Sequence, residues 1–338
     1  MAGNFCSSSF SIPSDSAFNF ILKFLASVNR DVYLIVVFFI GPLIMIMNSI
    51  DMLIMSRKEL RSPYNFVLFL MAIDQTIVIG ALVLPLLRSL FNTECSPSLL
   101  SLPWALYDLL VIVNLMPLCK AHGTWLAVIL AGMRLASVKS NGTFEFRLNM
   151  VILLSGGSLL FVVLTNVPNF LSFSIQWMKF EDACNSTDYG ELMIPYVGES
   201  HVLFENDCLI LRMGSIFTGA IHSALACVML IVFTVVLLRF LRVVRKKRQE
   251  MVLHKNSKES PGTDRTTILF ILIMLSTMIS EFPLALLGML EGLLSYQVRA
   301  QITSKINLLT TSLIVITSTV NLFIYLFMSK KVRQVGRF

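Results

Sequence analysis

A chain of 338 residues that is 56% hydrophobic and only 14% charged, with a mean hydropathy of +0.77, is too apolar for a water-soluble domain of its size. Its net charge of +7 would suit nucleic acid, but the basic residues are sorted along the chain between apolar stretches, which points to a lipid bilayer and no nucleic acid. Its four histidines and six cysteines show no metal-ligand spacing and no nucleophile motif, so neither an enzyme nor a cofactor is expected.

Seven apolar stretches follow one another at 32–55, 65–87, 105–138, 148–175, 214–241, 266–290 and 306–328. A helix rises 1.5 Å per residue, so ~20 apolar residues cross the hydrocarbon core, and each stretch reaches that length. The expected fold is all-α, a seven-transmembrane helix bundle over 32–328, with a short tail at 1–31 and a basic tail at 329–338. The first thirty residues lack the basic start of a secretory signal and read as an external tail.

Along the chain, the first gap carries Arg57, Lys58 and Arg61, and the third Lys139 and Arg147 just after Arg134. The fifth gap, 239–265, is dense in Arg and Lys and holds the run Arg245-Lys246-Lys247-Arg248; the tail adds Lys330, Lys331, Arg333 and Arg337. The other side of the bilayer has only Lys23, Arg30, Arg88, Lys179, Arg212, Arg299 and Lys305. Positive residues stay cytoplasmic, so the amino terminus is expected outside and the carboxyl terminus inside, as an odd number of spans requires. The juxtamembrane run would hold anionic lipid and border a cytoplasmic partner.

The outer loop 176–213 carries Glu181, Asp182, Asp188, Glu191, Glu199, Glu205 and Asp207 against Lys179 and Arg212, a rim that would attract a cationic ligand. On this side Asn185-Ser186-Thr187 is a candidate glycosylation site, whereas Asn141-Gly142-Thr143 falls inside. Cys95, Cys184 and Cys208 also lie outside, where disulfides persist; a bridge from Cys95 to Cys184 or Cys208 would tie the third helix to the outer loop, and Cys95–Cys208 is the working expectation. Ser155-Gly156-Gly157-Ser158 is expected to permit close helix packing. Pro42, Pro85, Pro117, Pro168 and Pro283 interrupt helices, which suits a bundle with a cavity or a moving part.

Polar groups inside the spans carry the functional signal, because each is costly in hydrocarbon. Asn48 lies ~14 Å along its helix from Arg57, Asn321 ~14 Å from Lys330, and Asp74 ~15 Å from Tyr64, so three helices place polar side chains at one depth. A shared hydrogen-bond cluster is the simplest arrangement that satisfies them. Lys120 stands ~21 Å from Arg134 and Glu281 ~24 Å from Arg265, opposite charges at similar depth that are expected to pair or to hold a ligand jointly. His122 and His222 read as packed, hydrogen-bonded histidines.

These residues resemble a rhodopsin-like G-protein-coupled receptor. Asn48, the turn Leu60-Arg61-Ser62-Pro63-Tyr64-Asn65, Leu70-Met71-Ala72-Ile73-Asp74 and Gly132-Met133-Arg134-Leu135 carry the general likeness. Asp264-Arg265-Thr266-Thr267 with Glu281-Phe282-Pro283, and Asn321-Leu322-Phe323-Ile324-Tyr325, are similar to the invertebrate myosuppressin-receptor-like group, called serpentine receptor class w in nematodes. The resemblance implies an extracellular FMRFamide-like peptide ligand, a heterotrimeric G protein as partner, and the plasma membrane as location. It also implies ligand contacts at Met116, Lys120, Glu281, Phe282, Asn307 and Thr310, and a switch at Asn48, Asp74, Pro283, Asn321 and Tyr325. G-protein contact would fall at Arg134, Arg245 and Lys246. Met133 and Leu135 depart from the acid and aromatic that usually flank the arginine, and Leu322 from a proline. A chemosensory receptor for a small molecule is the second reading. A channel or transporter is a distant third, because the buried charges are single and no paired halves are seen.

Overall fold

Proline decides where several helices change pitch. It has no N–H to give, so the turn before it loses an i→i−4 bond and can widen. In the computed structural model, which describes residues 35–58, 62–91, 101–140, 146–180, 192–204, 209–254, 262–293 and 312–319, two prolines follow such widened turns. Helix α1, Val36–Met55, opens with a π-helical turn at Val36–Ile40 and becomes α-helical at Gly41–Met55, with Pro42 in its first turn. Helix α3, Leu102–Lys139, is π-helical at Asp108–Leu115 and returns to α geometry at Met116, just before Pro117. Pro85 and Pro283 instead lie inside α2, Pro63–Phe91, and α6, Gly262–Leu293.

Helix α4, Leu148–Ser172, breaks at Asn166, ahead of Pro168. It ends at Ser172, where the backbone turns extended at Phe173, so the apolar stretch expected to be helical to 175 finishes as strand. Strands β1, Phe173–Lys179, and β2, Met193–Glu199, pair antiparallel with Phe173 opposite Glu199 and Lys179 opposite Met193. The all-α expectation thus needs one amendment, a hairpin inside what read as a plain loop. The side chain of Gln176 spans the hairpin, accepting from the Tyr196 hydroxyl at 2.8 Å and donating to the Glu199 carbonyl. Helix α5 runs over 209–254, with a π-helical centre at Phe217–Leu225. A seventh helix, α7, is described over 312–319.

Among the described residues, six helices are long and apolar enough to cross a membrane. Their polarity is inverted relative to a soluble protein. Leu53, Leu153, Leu160, Leu164 and Ile279 are exposed on the outside of the bundle, whereas Asn48, Asp51, Asp74, His122, Ser223 and Glu281 are buried within it. An exposed apolar belt around a polar interior is stable only when lipid covers the belt.

Helix α5 meets α6 without intervening side chains. A Cβ at Gly219 would lie 2.5 Å from the Gly288 carbonyl carbon and the Met289 nitrogen, and one at Gly288 would lie 2.6 Å from the Gly219 Cα. The small-residue contact expected at Gly156 and Gly157 is not made, since nothing lies within 4 Å of a Cβ built at either. Gly219→Ala and Gly288→Ala should therefore each force the helices apart and cost ~1–3 kcal/mol. Gly156→Ala and Gly157→Ala should be neutral in thermal unfolding of the purified protein, and an equal loss at all four positions would refute this packing.

Candidate functional site

Helix α3 places two basic side chains inward, two residues apart, and each meets an acid from a different neighbour. Lys120 Nζ lies 4.0 Å from Glu281 Oε1 of α6, and both side chains are largely withdrawn from solvent at 19% and 6% exposure. Glu281 Oε2 accepts a hydrogen bond from the Ser223 hydroxyl of α5 at 2.9 Å. His122 Nδ1 stands 2.8 Å from Asp74 Oδ2 of α2, and its Nε2 3.4 Å from the Ser155 carbonyl of α4. Both ring nitrogens thus face oxygen atoms of neighbouring helices.

Between these pairs lies a cavity of about 70 Å³, ample for several waters. It is lined by Asp74 and Gln75 of α2, Lys120 and Thr124 of α3, Thr277, Ser280 and Glu281 of α6, and Thr317 and Ser318 of α7. A Cβ built at Gly123 would make ordinary contact with Asp74, 3.8 Å from Oδ2.

The sequence-derived positions divide into groups. Lys120 and Glu281, matched by depth in the sequence, line the cavity together with Asp74, which the sequence grouped instead with Asn48 and Asn321. Met116 is half-buried one turn from Lys120 and does not line it. Phe282 is a correction: it is 66% exposed on the outer face of α6, because the residue next to an inward Glu281 is rotated by about 100°. Asn48 is buried, its Nδ2 without a hydrogen-bond partner among the described residues, and Asp74 bonds to His122. Asn307, Thr310, Asn321, Tyr325, Cys95, Cys208 and Asn185 lie outside the described residues. Of Arg245 and Lys246 only the helical backbone is described.

Three features were missed in the sequence. Asp51, one turn after Asn48, is 4% exposed with Oδ1 unpartnered among the described residues, and an acid inside an apolar run was the signal. The Arg134 guanidinium sits over the Tyr64 ring at 4.8 Å, while the Tyr64 hydroxyl reaches the Met133 carbonyl at 3.5 Å, so α2 supplies an aromatic partner where the adjacent acid is absent. Ser223 could not be matched to Glu281 without knowing how α5 turns. His222, also expected to be hydrogen-bonded, accepts from Trp125 Nε1 at 3.2 Å through Nδ1, and its Nε2 lies 2.8 Å from Thr165 Oγ1, linking α3, α4 and α5.

Breaking one side of the His122–Asp74 contact leaves a buried polar group without a partner. Asp74→Leu or His122→Leu alone should cost ~3 kcal/mol, and the double substitution far less than their sum, read by thermal unfolding in detergent. Strict additivity would show that the two side chains do not interact.

The chain is 24% identical over 329 residues to the G-protein coupled receptor dmsr-1 of Caenorhabditis elegans, an alignment covering 86% of this chain and 64% of that protein. It therefore spans just under two thirds of that relative's length. The family model described as serpentine type 7TM GPCR chemoreceptor Srw matches residues 35–337, nearly the whole chain. With six apolar helices, a polar interior and buried polar pairs joining α3 to α2 and α6, that match establishes that the chain belongs to the Srw family of serpentine seven-transmembrane G-protein-coupled chemoreceptors.

Proposed function

We propose that this receptor sits in the plasma membrane with its amino terminus outside, responds to an FMRFamide-like neuropeptide, and signals through heterotrimeric G proteins. Membership of the family makes it a multi-pass, non-enzymatic receptor; the peptide ligand is the further step. The observation that carries it is the cavity floored by the Lys120–Glu281 pair, because that pair joins α3 to α6 and any ligand that engages it acts on the spacing of both. Only a ligand that binds one arrangement of those helices more tightly than the other can shift the population between them. Movement about Pro283 would then swing the far end of α6, opening a groove beside Arg134, Tyr325, Arg245 and Lys246 for the G protein.

Several further elements belong to this reading. The sorting of Lys and Arg supports the orientation. The acidic rim from Glu181 to Asp207 suits a cationic peptide, and a Cys95–Cys208 bridge with a glycan at Asn185 fits an extracellular loop. Asn48 and Asn321 would complete the switch around Asp74. The chain's similarity to the myosuppressin-receptor-like pattern favours a peptide, whereas the family's description as chemoreceptors and the modest cavity favour a small environmental molecule as the second reading.

G-protein activation in cells expressing the full chain, screened against amidated peptides and small metabolites, separates the two. An amidated, basic peptide should activate at the lowest concentration. Reversing charge at Glu181, Asp182, Glu205 and Asp207 together should weaken it by about tenfold and flatten its salt dependence. Activation by metabolites alone would overturn the peptide reading, and unchanged potency in the reversed variant would overturn steering by the rim.

A further inference from the structure

The π-helical segment of α5, Phe217–Leu225, has no proline to explain it. The widened turns of α1 and α3 each lie next to a proline, but none occurs between 209 and 254. A π turn is rare, and where proline does not cause it, contacts from outside the helix must hold it. Left alone, the segment would tighten to α geometry, and the outer part of α5 would turn against the inner part by about 100°, the angle of one residue. The inner part is fixed by Ala226, Leu230 and Leu237, each fully buried, and by the Thr234 hydroxyl against Met274 Sδ of α6 at 3.6 Å.

His222 sits inside the segment, 2% exposed, and is held from two other helices. An indole N–H only donates, so Trp125 Nε1 of α3, at 3.2 Å, fixes His222 Nδ1 as an acceptor. The ring then carries its hydrogen on Nε2 and donates to Thr165 Oγ1 of α4 at 2.8 Å. Thr165 in turn donates its own hydroxyl to the Phe161 carbonyl at 2.8 Å, so the donors run in one direction. Asn166 Nδ2, 3.4 Å from the ring, donates instead to the Val162 carbonyl. The Phe161 ring stands edge-on to both Trp125 and His222, with centroids 5.4 and 5.9 Å away.

Ser223, the next residue, faces α6 and donates to Glu281 Oε2 at 2.9 Å. Neither His222 nor Ser223 lines the cavity, but Glu281 does. Two other contacts within the segment explain its geometry less well. Thr218 donates to the Gly214 carbonyl, a bond that an ordinary α-helix also permits. The approach of Gly219 to Gly288 requires a small residue but carries no directional bond. His222 joins the segment to two helices at once.

We propose that His222 is a positioning residue for the Lys120–Glu281 site: clasped to Trp125 and Thr165, it holds α5 in π geometry and so keeps the Ser223 hydroxyl on Glu281 Oε2. With Oε2 engaged in this way, Oε1 is the oxygen beside Lys120. The consequence for a ligand rests on the cavity being the ligand site; the positioning does not.

The test reads the contact between 223 and 281 without a ligand, in the full chain in phospholipid nanodiscs. The chain carries Cys119→Ala, Cys227→Ala and Lys120→Met, the last so that Glu281→Cys leaves no bare charge. Ser223→Cys with Glu281→Cys should then cross-link on mild oxidation, mapped by the masses of non-reduced peptides. Thr234→Cys with Met274→Cys, in the inner half of the same helix pair, is the control. Adding His222→Leu should slow the 223–281 cross-link by at least about tenfold, because both hydrogen bonds to the ring are lost, and leave the 234–274 cross-link within about twofold. Trp125→Phe, a milder change that keeps an aromatic ring, should slow only the first link, by about threefold, and add nothing to His222→Leu. His222→Gln, which can accept from the indole and donate to Thr165, should recover most of the rate. A 223–281 cross-link indifferent to both His222→Leu and Trp125→Phe overturns the proposal. Equal slowing of the two links also overturns it, since His222 would then be a general packing residue. Because no ligand enters the measurement, a silent screen of peptides and metabolites would remove the ligand reading and leave this result standing.

Discussion

Charge inside hydrocarbon must be answered by another helix, and the interior of this receptor is organised around that requirement. Insertion of a single Lys or Asp at mid-helix costs ~2.5–3.5 kcal/mol, so an unanswered ion would resist the bilayer. Here α3 carries both basic groups, and α2 and α6 each bring an acid to it, at 2.8 Å for His122–Asp74 and 4.0 Å for Lys120–Glu281. Helix α3 is thereby the strut of the bundle. The pairs also fix rotation, because only one face of α2 and one face of α6 can present an acid to it.

Backbone geometry makes those meetings possible. Where α5 widens into π geometry at Phe217–Leu225, its consecutive residues His222 and Ser223 are both buried, His222 toward Trp125 and Thr165, Ser223 toward Glu281. A π turn rotates the register of the residues after it, so neighbours in sequence can serve different helices. The contact of Gly219 with Gly288 holds α5 and α6 backbone to backbone in the same region. Close approach at one point and a polar cavity at another are complementary: the first anchors α6, and the second is lined by its Glu281.

Under the proposed reading, this division has a mechanical consequence. A ligand that engages the Lys120–Glu281 pair changes what joins α3 to α6 without leaving either charge bare. The Arg134 end of α3 is held differently, with its guanidinium over the Tyr64 ring of α2. A cation–π contact of this kind contributes ~0.5–2 kcal/mol, weak enough to exchange for a partner protein.

Much of this was legible in the chain, and the part that was not has one cause. Apolar length located the spans, and a rise of 1.5 Å per residue set the depth of every polar group, which is why Lys120 and Glu281 could be matched across more than a hundred residues of sequence. The motifs around Asp74, Arg134, Glu281 and Asn321 carried the family. Rotation about each helix axis was not readable, because every π turn and proline kink shifts the azimuth of the residues beyond it. Hence Phe282 faces outward although Glu281 faces in, Asp74 bonds to His122, and the glycine contact falls at Gly219 and Gly288 instead of Gly156 and Gly157. The strand after Ser172 was hidden for a related reason, since an apolar run alone does not distinguish the last turn of a helix from the start of a strand. Sequence by itself determined position along the membrane normal, through hydrophobicity and fixed helical rise. Only tertiary packing decided which way each side chain turned, and therefore which charges met.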